Sequence, residues 1–232
     1  MLRDILSDQF KLLGFRQPSR GIAVHWKPYL AYGFIVTFLA GVGRYWDNPK
    51  AQLWQNLGLG SIAYVVVLAS LLWLIYLPLR PERWQFRNVL LFVTFCSAPA
   101  LLYAIPVERF MSLPAAQAAN AWFLGIVASW RVALLMVFLH RVARLEPLIV
   151  LIASLLPLTL IVTVLSILNL EHVVFNLMAG IRAEDASPND VAYLIVLRIT
   201  MFSVMAFPAL LVAYGLLVFR AWRKKLGPDQ PR

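Results

Sequence analysis

The chain has 232 residues, of which 61% are hydrophobic and 14% are charged, and its mean hydropathy is +0.75. Soluble domains carry about 25% charged residues, so this composition excludes most soluble classes and predicts an integral membrane protein. The formal net charge is +10, but the basic residues lie between apolar segments, which is typical of membrane-topology signals and not of a nucleic-acid-binding face. A single cysteine, Cys96, excludes an internal disulfide and a cysteine metal cluster.

The N-terminal segment, residues 1–27, is basic and amphipathic. Apolar side chains recur every three or four residues on one face of a helix here, namely Leu2, Ile5, Leu6, Phe10 and Leu13. The charged residues Arg3, Asp4, Asp8 and Lys11 lie on the other faces. This pattern predicts a helix that lies in the cytoplasmic membrane interface. The alternative is a helix packed against the cytoplasmic end of a bundle. Charges occur throughout the segment, so we do not expect a cleavable signal peptide.

Six apolar segments follow, and they predict one transmembrane domain over residues 28–219, followed by a basic cytoplasmic tail over residues 220–232. The predicted spans are about 28–43, 57–77, 88–107, 121–139, 147–168 and 191–219. The start of the last span is ambiguous, because a helix can begin at Val191 or the run Ile199 to Phe219 can span alone. The sequence therefore predicts an all-α integral membrane protein, a bundle of about six transmembrane helices with an N-terminal amphipathic helix.

The distribution of Lys and Arg predicts the orientation of these spans. With six spans, fifteen of the 21 basic residues fall on one side of the membrane and four on the other, and the remaining two lie within spans. Basic residues stay cytoplasmic, so both termini should face the cytoplasm and the loop from Glu171 to Asp190 should face out. Arginine outnumbers lysine 16 to 5, which suggests a bacterium with GC-rich coding and hence a bacterial inner membrane.

The fourth span, Ala121 to Leu139, has the features of a central helix. Small residues recur at every fourth position along it, namely Ala121, Gly125, Ser129 and Ala133. This spacing predicts a seam along which a second helix packs closely. Arg131 lies two positions from both Ser129 and Ala133, so it points well away from that seam.

Arg131 is the residue that most needs a partner, because a charge at mid-bilayer costs at least about 2.5–3.5 kcal/mol on insertion scales. Each mid-span proline leaves the carbonyl four residues earlier without its usual donor. Pro99, Pro157 and Pro208 should thus free the carbonyls of Phe95, Ala153 and Val204. Arg131 could act as a clamp on such carbonyls. The alternative is a water-filled cavity in which Arg131 meets an anionic group.

Other polar residues fall in the outer half of the predicted bundle or at its outer interface. The candidate intramembrane polar site consists of Arg131 together with Arg198, Arg44, Glu108, Arg109, Glu171 and His172. These residues could line a vestibule or pair among themselves.

The sequence contains no catalytic motif, so we predict no catalytic, metal or cofactor site. The leading hypothesis is a non-enzymatic membrane protein that binds a lipid or protein partner within the bilayer, the protein partner being another membrane protein or a second copy of the chain. The alternative is a small transporter or permease-like subunit for an anionic solute, which the proline-broken spans and Arg131 favour. A lipid-modifying enzyme is the weakest hypothesis. We expect no nucleic-acid partner.

Overall fold

A computed structural model describes residues 1–19, 21–43, 58–82, 84–179 and 191–226. These residues form helices and contain no strand. In chain order the α-helices are α1 Leu2–Leu13, α2 Gly21–Val24, α3 Trp26–Gly43, α4 Leu59–Tyr76, α5 Phe86–Phe95, α6 Leu113–Arg141, α7 Pro147–Ile167, α8 Glu171–Ala179 and α9 Val191–Leu226. The 3-10 helices among the described residues are Leu77–Leu79, Ala98–Ala104 and Val107–Arg109.

Five helical segments of the described chain are long and apolar enough to cross a membrane. They are Leu59–Leu79, Phe86–Ala104, Ala115–Arg141, Pro147–Ile167 and Tyr193–Arg223. This confirms the predicted all-α membrane bundle. The predicted first span is also a helix, α3, of 18 residues. It does not reach the hydropathy of the other five because its first turn contains Lys27, Pro28 and Tyr29, so the count of six spans stays a prediction.

Helix α3 lies against α5 and the 3-10 helix that follows α5, and glycine makes this contact close. A Cβ atom added at Gly33 would lie 2.5 Å from Thr94 Oγ1, and one added at Gly43 would lie 2.4 Å from Ala104 Cβ. Between these two points Thr37 Oγ1 donates to Gly33 O at 2.8 Å and lies 2.9 Å from Ser97 Oγ. The close small-residue packing that a membrane bundle uses is therefore found on α3.

The main apolar core lies where α4, α5, α6 and α7 meet. Tyr76 and Leu139 are completely buried there. The rings of Phe92 and Phe138 stack with their centroids 4.2 Å apart. Such ring pairs contribute about 0.5–1.5 kcal/mol beyond the area that they bury. This core fixes the relative positions of α5 and α6, the two elements that carry the polar centre described below.

Helix α1 has three faces, where the sequence suggested two. Ile5, Asp8 and Gln9 are at most 3% exposed and pack against the bundle, while Leu2 and Phe10 are 63% and 72% exposed. The predicted apolar face is thus divided. Ile5 turns inward with two polar residues, Leu13 is half-buried against the main core, and Leu2, Leu6 and Phe10 form an exposed stripe. The buried face of α1 agrees with the alternative of a helix packed on the bundle. The exposed stripe leaves a second face of α1 open to a membrane contact.

The predicted packing seam on the fourth span is wrong for the part of the chain that the structure describes. Gly125 and Ser129 are exposed, and a Cβ added at Gly125 would have no neighbour within 4 Å. Helix α6 instead turns Val127, Leu134 and Leu139 inward. Leu134 and Leu139 join the main core, and Val127 packs with residues of α3 and of the 3-10 helix Ala98–Ala104. The small residues would leave this space empty.

Two further boundaries differ from the prediction. Helix α8 occupies residues 171–179, where the sequence predicted a polar loop. Helix α9 begins at Val191, which resolves the ambiguous start, and continues to Leu226 beyond the predicted end at Phe219. It packs along α7 and is otherwise largely exposed. The remaining loop residues 180–190 and the predicted loop 44–57 lie outside the described residues.

Candidate functional site

The centre of the candidate site is the helix break at Pro99. Helix α5 ends at Phe95, and the chain continues as the 3-10 helix Ala98–Ala104. In that helix each N–H donates to the carbonyl three residues earlier, as the Ala100 N–H does to Ser97 O at 2.9 Å. An N–H at position 99 would donate to Cys96 O in this pattern, or to Phe95 O in an α-helical one. Proline has no N–H, so Pro99 makes neither bond. Both carbonyls therefore depend on other donors.

Side chains from two different helices supply those donors. Arg131 Nε on α6 donates to Cys96 O at 2.8 Å, and Gln9 Nε2 on α1 donates to Phe95 O at 3.0 Å. Arg131 thus bonds a carbonyl that Pro99 leaves free in the 3-10 geometry, one residue after Phe95 O, the carbonyl that an α-helical geometry predicts. These adjacent carbonyls bring α1, α5 and α6 together at one point, which we call the polar centre.

A second proline shows the same arrangement. Pro157 lies within α7, which stays one continuous helix. Pro157 frees the carbonyl of Ala153, a residue that is completely buried. The hydroxyl of Tyr76, on α4, donates to this oxygen at 3.0 Å. A side chain from a neighbouring helix again replaces the missing backbone donor, as buried carbonyl groups require.

The guanidinium of Arg131 has more N–H groups than the one that donates to Cys96 O. The side chain is half-buried, and its terminal nitrogens form no hydrogen bond or ion pair with a side chain or carbonyl of the described residues. Gln9 Oε1 is buried and also has no hydrogen-bond partner among them. Within the described part of the chain, the polar centre thus combines two satisfied carbonyls with arginine N–H groups that could donate to an anion or a water.

The other predicted site residues fall in separate places. Glu171 and His172 begin α8, with His172 Nε2 3.9 Å from Glu171 Oε1. The His172 ring stacks on Tyr193 of α9 with the centroids 4.1 Å apart. Glu171 Oε2 is buried without a partner among the described residues. The structure therefore brings together Glu171, His172 and Tyr193, and the last of these was not predicted.

Arg131 is not paired with the other members of the predicted set whose side chains the structure describes. Arg198 is exposed on α9, away from the main core. Glu108 and Arg109 lie in the 3-10 helix Val107–Arg109 before α6. Arg44 lies outside the described residues. Among the described side chains, Arg131 makes no hydrogen bond or ion pair with another member of the predicted set.

Sequence reasoning missed a buried carboxylate, Asp8. Its Oδ1 accepts from Lys11 Nζ at 3.0 Å and from the Ser19 N–H at 2.9 Å. Its Oδ2 accepts from the hydroxyls of Ser19 and Tyr29. Burial alone would raise the pKa of Asp8, but the Ser19, Tyr29 and Lys11 donors together outweigh burial and hold this pKa below its usual value. No local signal identifies Asp8, because Ser19 and Tyr29 are 11 and 21 residues away.

Next to Asp8 lies a cavity of about 390 Å³, which we call the α1 cavity. It is lined by Met1, Asp4, Ser7, Asp8, Lys11, Ser19, Gly21, His25 and Tyr29. Within the described ranges, no group of three or more His, Cys, Asp or Glu side chains could hold a metal ion. The cavity therefore offers separate positive and negative groups rather than a ligand cluster.

No protein family, no curated protein and no solved structure matches the chain. The function must therefore be argued from the residues themselves.

Proposed function

We propose that this chain is a non-enzymatic, multi-pass protein of a bacterial inner membrane, with both termini cytoplasmic, that binds membrane lipid along α1. The observation that carries the proposal is the exposed apolar stripe of α1, formed by Leu2, Leu6 and Phe10. Covering one such side chain is worth about 1.5–3 kcal/mol. An apolar stripe on a helix whose opposite side is held by a membrane bundle is best covered by lipid acyl chains.

The contacts of α1 support this orientation. Besides the Gln9 bond, Trp130 Nε1 of α6 donates to Leu13 O at 3.0 Å, and Arg141 donates to Phe15 O. These bonds hold both the middle and the end of α1 against the bundle. The stripe therefore cannot turn inward without breaking them, and its outward direction is a fixed property of the fold.

Paired cationic and aromatic side chains mark the same end of the bundle. The Arg80 guanidinium lies 4.1 Å from the centroid of a Trp222 ring, and Arg87 lies 5.4 Å from that of Trp26. Tryptophan and basic residues are enriched at the cytoplasmic membrane interface. These pairs support a cytoplasmic interface at this end, which is the level at which α1 would meet lipid head groups and acyl chains.

The test measures the environment of two faces of α1. A cysteine replaces Phe10 on the stripe or Asp4 on the polar face, both in a Cys96→Ser background, and carries an environment-sensitive fluorophore. In nanodiscs we expect blue-shifted emission at position 10 that brominated acyl chains quench, and weaker effects of both kinds at position 4. Water-like emission at position 10 would refute lipid binding. Blue-shifted emission without quenching would instead indicate that a protein partner covers the stripe.

A second function, transport of an anionic solute, is favoured by the unused donors of Arg131. A half-buried guanidinium with free N–H groups is the feature that recognises an anion in a membrane interior. The stability measurements proposed for Arg131 in the Discussion separate this function from a purely structural role.

A further inference from the structure

We propose that the α1 cavity binds the head group of an aminophospholipid. Lys11 and His25 would take the phosphate, and Asp4 would take the primary ammonium. This inference rests on the proposed lipid contact of α1 and adds the class of head group. The argument has three steps, which concern the floor of the cavity, its free charges and its apolar edges.

The floor of the cavity is already complete. Asp8 is 1% exposed, and its two oxygens accept four hydrogen bonds, from Lys11, the Ser19 N–H, and the hydroxyls of Ser19 and Tyr29. A carboxylate has about four acceptor positions, so Asp8 has none left for a ligand. Its role is to fix the positions of Lys11, Ser19 and Tyr29 around the cavity.

The free charges lie on separate side chains of the lining. Among the described residues Lys11 Nζ contacts the Asp8 carboxylate at 3.0 Å, which leaves it further N–H donors, and its side chain is 40% exposed. His25 and Ser7 add exposed donor groups. Asp4 is the exposed carboxylate of the lining, and it forms an ion pair at 2.9 Å with the amino group of Met1, which a lipid ammonium would replace. Separated positive and negative groups match a zwitterion better than a simple anion.

Exposed apolar side chains flank the cavity. Phe10 on α1 and Val24 on α2, the residue before His25, are 72% and 70% exposed. A lipid with its head group in the cavity could lay its acyl chains along these residues. The cavity volume of about 390 Å³ is within the range of about 300–1,000 Å³ for small-ligand sites. A primary ammonium can donate hydrogen bonds to Asp4, whereas a trimethylated one cannot.

The test compares lipids that differ only in the head group. The full-length protein in detergent receives phosphatidylethanolamine, phosphatidylcholine or phosphatidylglycerol with identical acyl chains, and retained lipid is measured by native mass spectrometry. We expect a preference of about ten-fold for phosphatidylethanolamine over phosphatidylcholine, the size of one charge-assisted hydrogen bond. Asp4→Asn should abolish this preference, and His25→Gln should weaken retention of all three lipids. Arg3→Gln, on α1 but outside the cavity lining, is the matched control and should change nothing.

Competition by soluble compounds identifies the source of the head group. Phosphoethanolamine should displace the lipid more effectively than inorganic phosphate. Equal displacement by inorganic phosphate would overturn the assignment in favour of a phosphate site. An unchanged preference in Asp4→Asn, or an equal loss in Arg3→Gln, would also overturn it. If Phe10 lies among acyl chains but no head-group preference exists, this inference alone fails. If position 10 is in water, the proposed function fails.

Discussion

The role of Arg131 can be measured through its coupling to Pro99. The change Arg131→Leu leaves Cys96 O without a donor, which costs about 1–3 kcal/mol. It also removes a half-buried cation, a gain of about 2.5–3.5 kcal/mol on insertion scales. The two terms are of similar size and opposite sign. The change in unfolding free energy of this variant alone therefore carries little information, and a double-mutant cycle is needed.

Pro99→Ala restores an N–H that can donate to Cys96 O in the 3-10 geometry. In this background the carbonyl keeps a donor after Arg131→Leu, while the cation term is unchanged. We expect Arg131→Leu to be less destabilising in Pro99→Ala than in wild type by about 1–3 kcal/mol. The four variants would be unfolded by SDS titration in mixed micelles, with tryptophan fluorescence as the signal.

The second proline provides matched controls. The pair Tyr76→Phe and Pro157→Ala should show coupling of the same sign, because Tyr76 bonds the carbonyl that Pro157 frees. Arg131 does not bond the carbonyl that Pro157 frees. The changes in unfolding free energy caused by Arg131→Leu and Pro157→Ala should therefore be additive. Additivity of Arg131→Leu with Pro99→Ala would refute the clamp. A Leu variant as stable as wild type, but no longer stabilised by anionic lipid or solute, would support the anion-binding function instead. Arg131→Lys should restore the coupling only in part, because lysine lacks the planar fork.

Two further predictions follow from the packing of α1 and α3. The pKa of Asp8 is lowered in the folded protein, so its contribution to stability is present above its ordinary value of about 4 and is lost as pH falls through the folded value. The melting temperatures of wild type and Asp8→Asn, measured from pH 7 to pH 3, should therefore differ most at neutral pH and converge in acid; a constant gap would contradict this. Gly33→Ala places a Cβ 2.5 Å from Thr94 Oγ1 and should destabilise by about 1–3 kcal/mol, whereas Gly125→Ala meets nothing and should be neutral or slightly stabilising in the same melting assay.

The positions of the long helices could be predicted because the signal for them is local. An apolar run bounded by proline or polar residues is sufficient, and the predicted span 147–168 differs by one residue from α7, Pro147–Ile167. The direction in which each helix faces could not be predicted. In a membrane both the lipid-facing and the protein-facing sides are apolar, so no amphipathic pattern distinguishes them. The small-residue spacing therefore predicted close helix packing at Gly125, whereas the structure has it at Gly33.

The polar centre was predictable only as a class of interaction. A buried arginine and mid-span prolines indicate that a side chain must bond a freed carbonyl, and this follows from the sequence. Which carbonyl it is depends on the change from α-helical to 3-10 geometry after Phe95. Amphipathic reasoning placed Asp8 away from the apolar face of α1 and gave no role to Gln9. Their partners are distant in the chain, since Gln9 bonds a carbonyl 86 residues away.

The polar centre and the α1 cavity are parts of one connected structure. Asp8 and Gln9 are neighbours on the buried face of α1. Asp8 forms the floor of the cavity, and Gln9 bonds Phe95 O, whose neighbour Cys96 O bonds Arg131. A shift of α1 that opened the cavity would move Gln9 away from Phe95 and leave a buried carbonyl unpaired, which is unfavourable. Lipid binding that keeps the present position of α1 is therefore the mode that the hydrogen bonds of the fold favour.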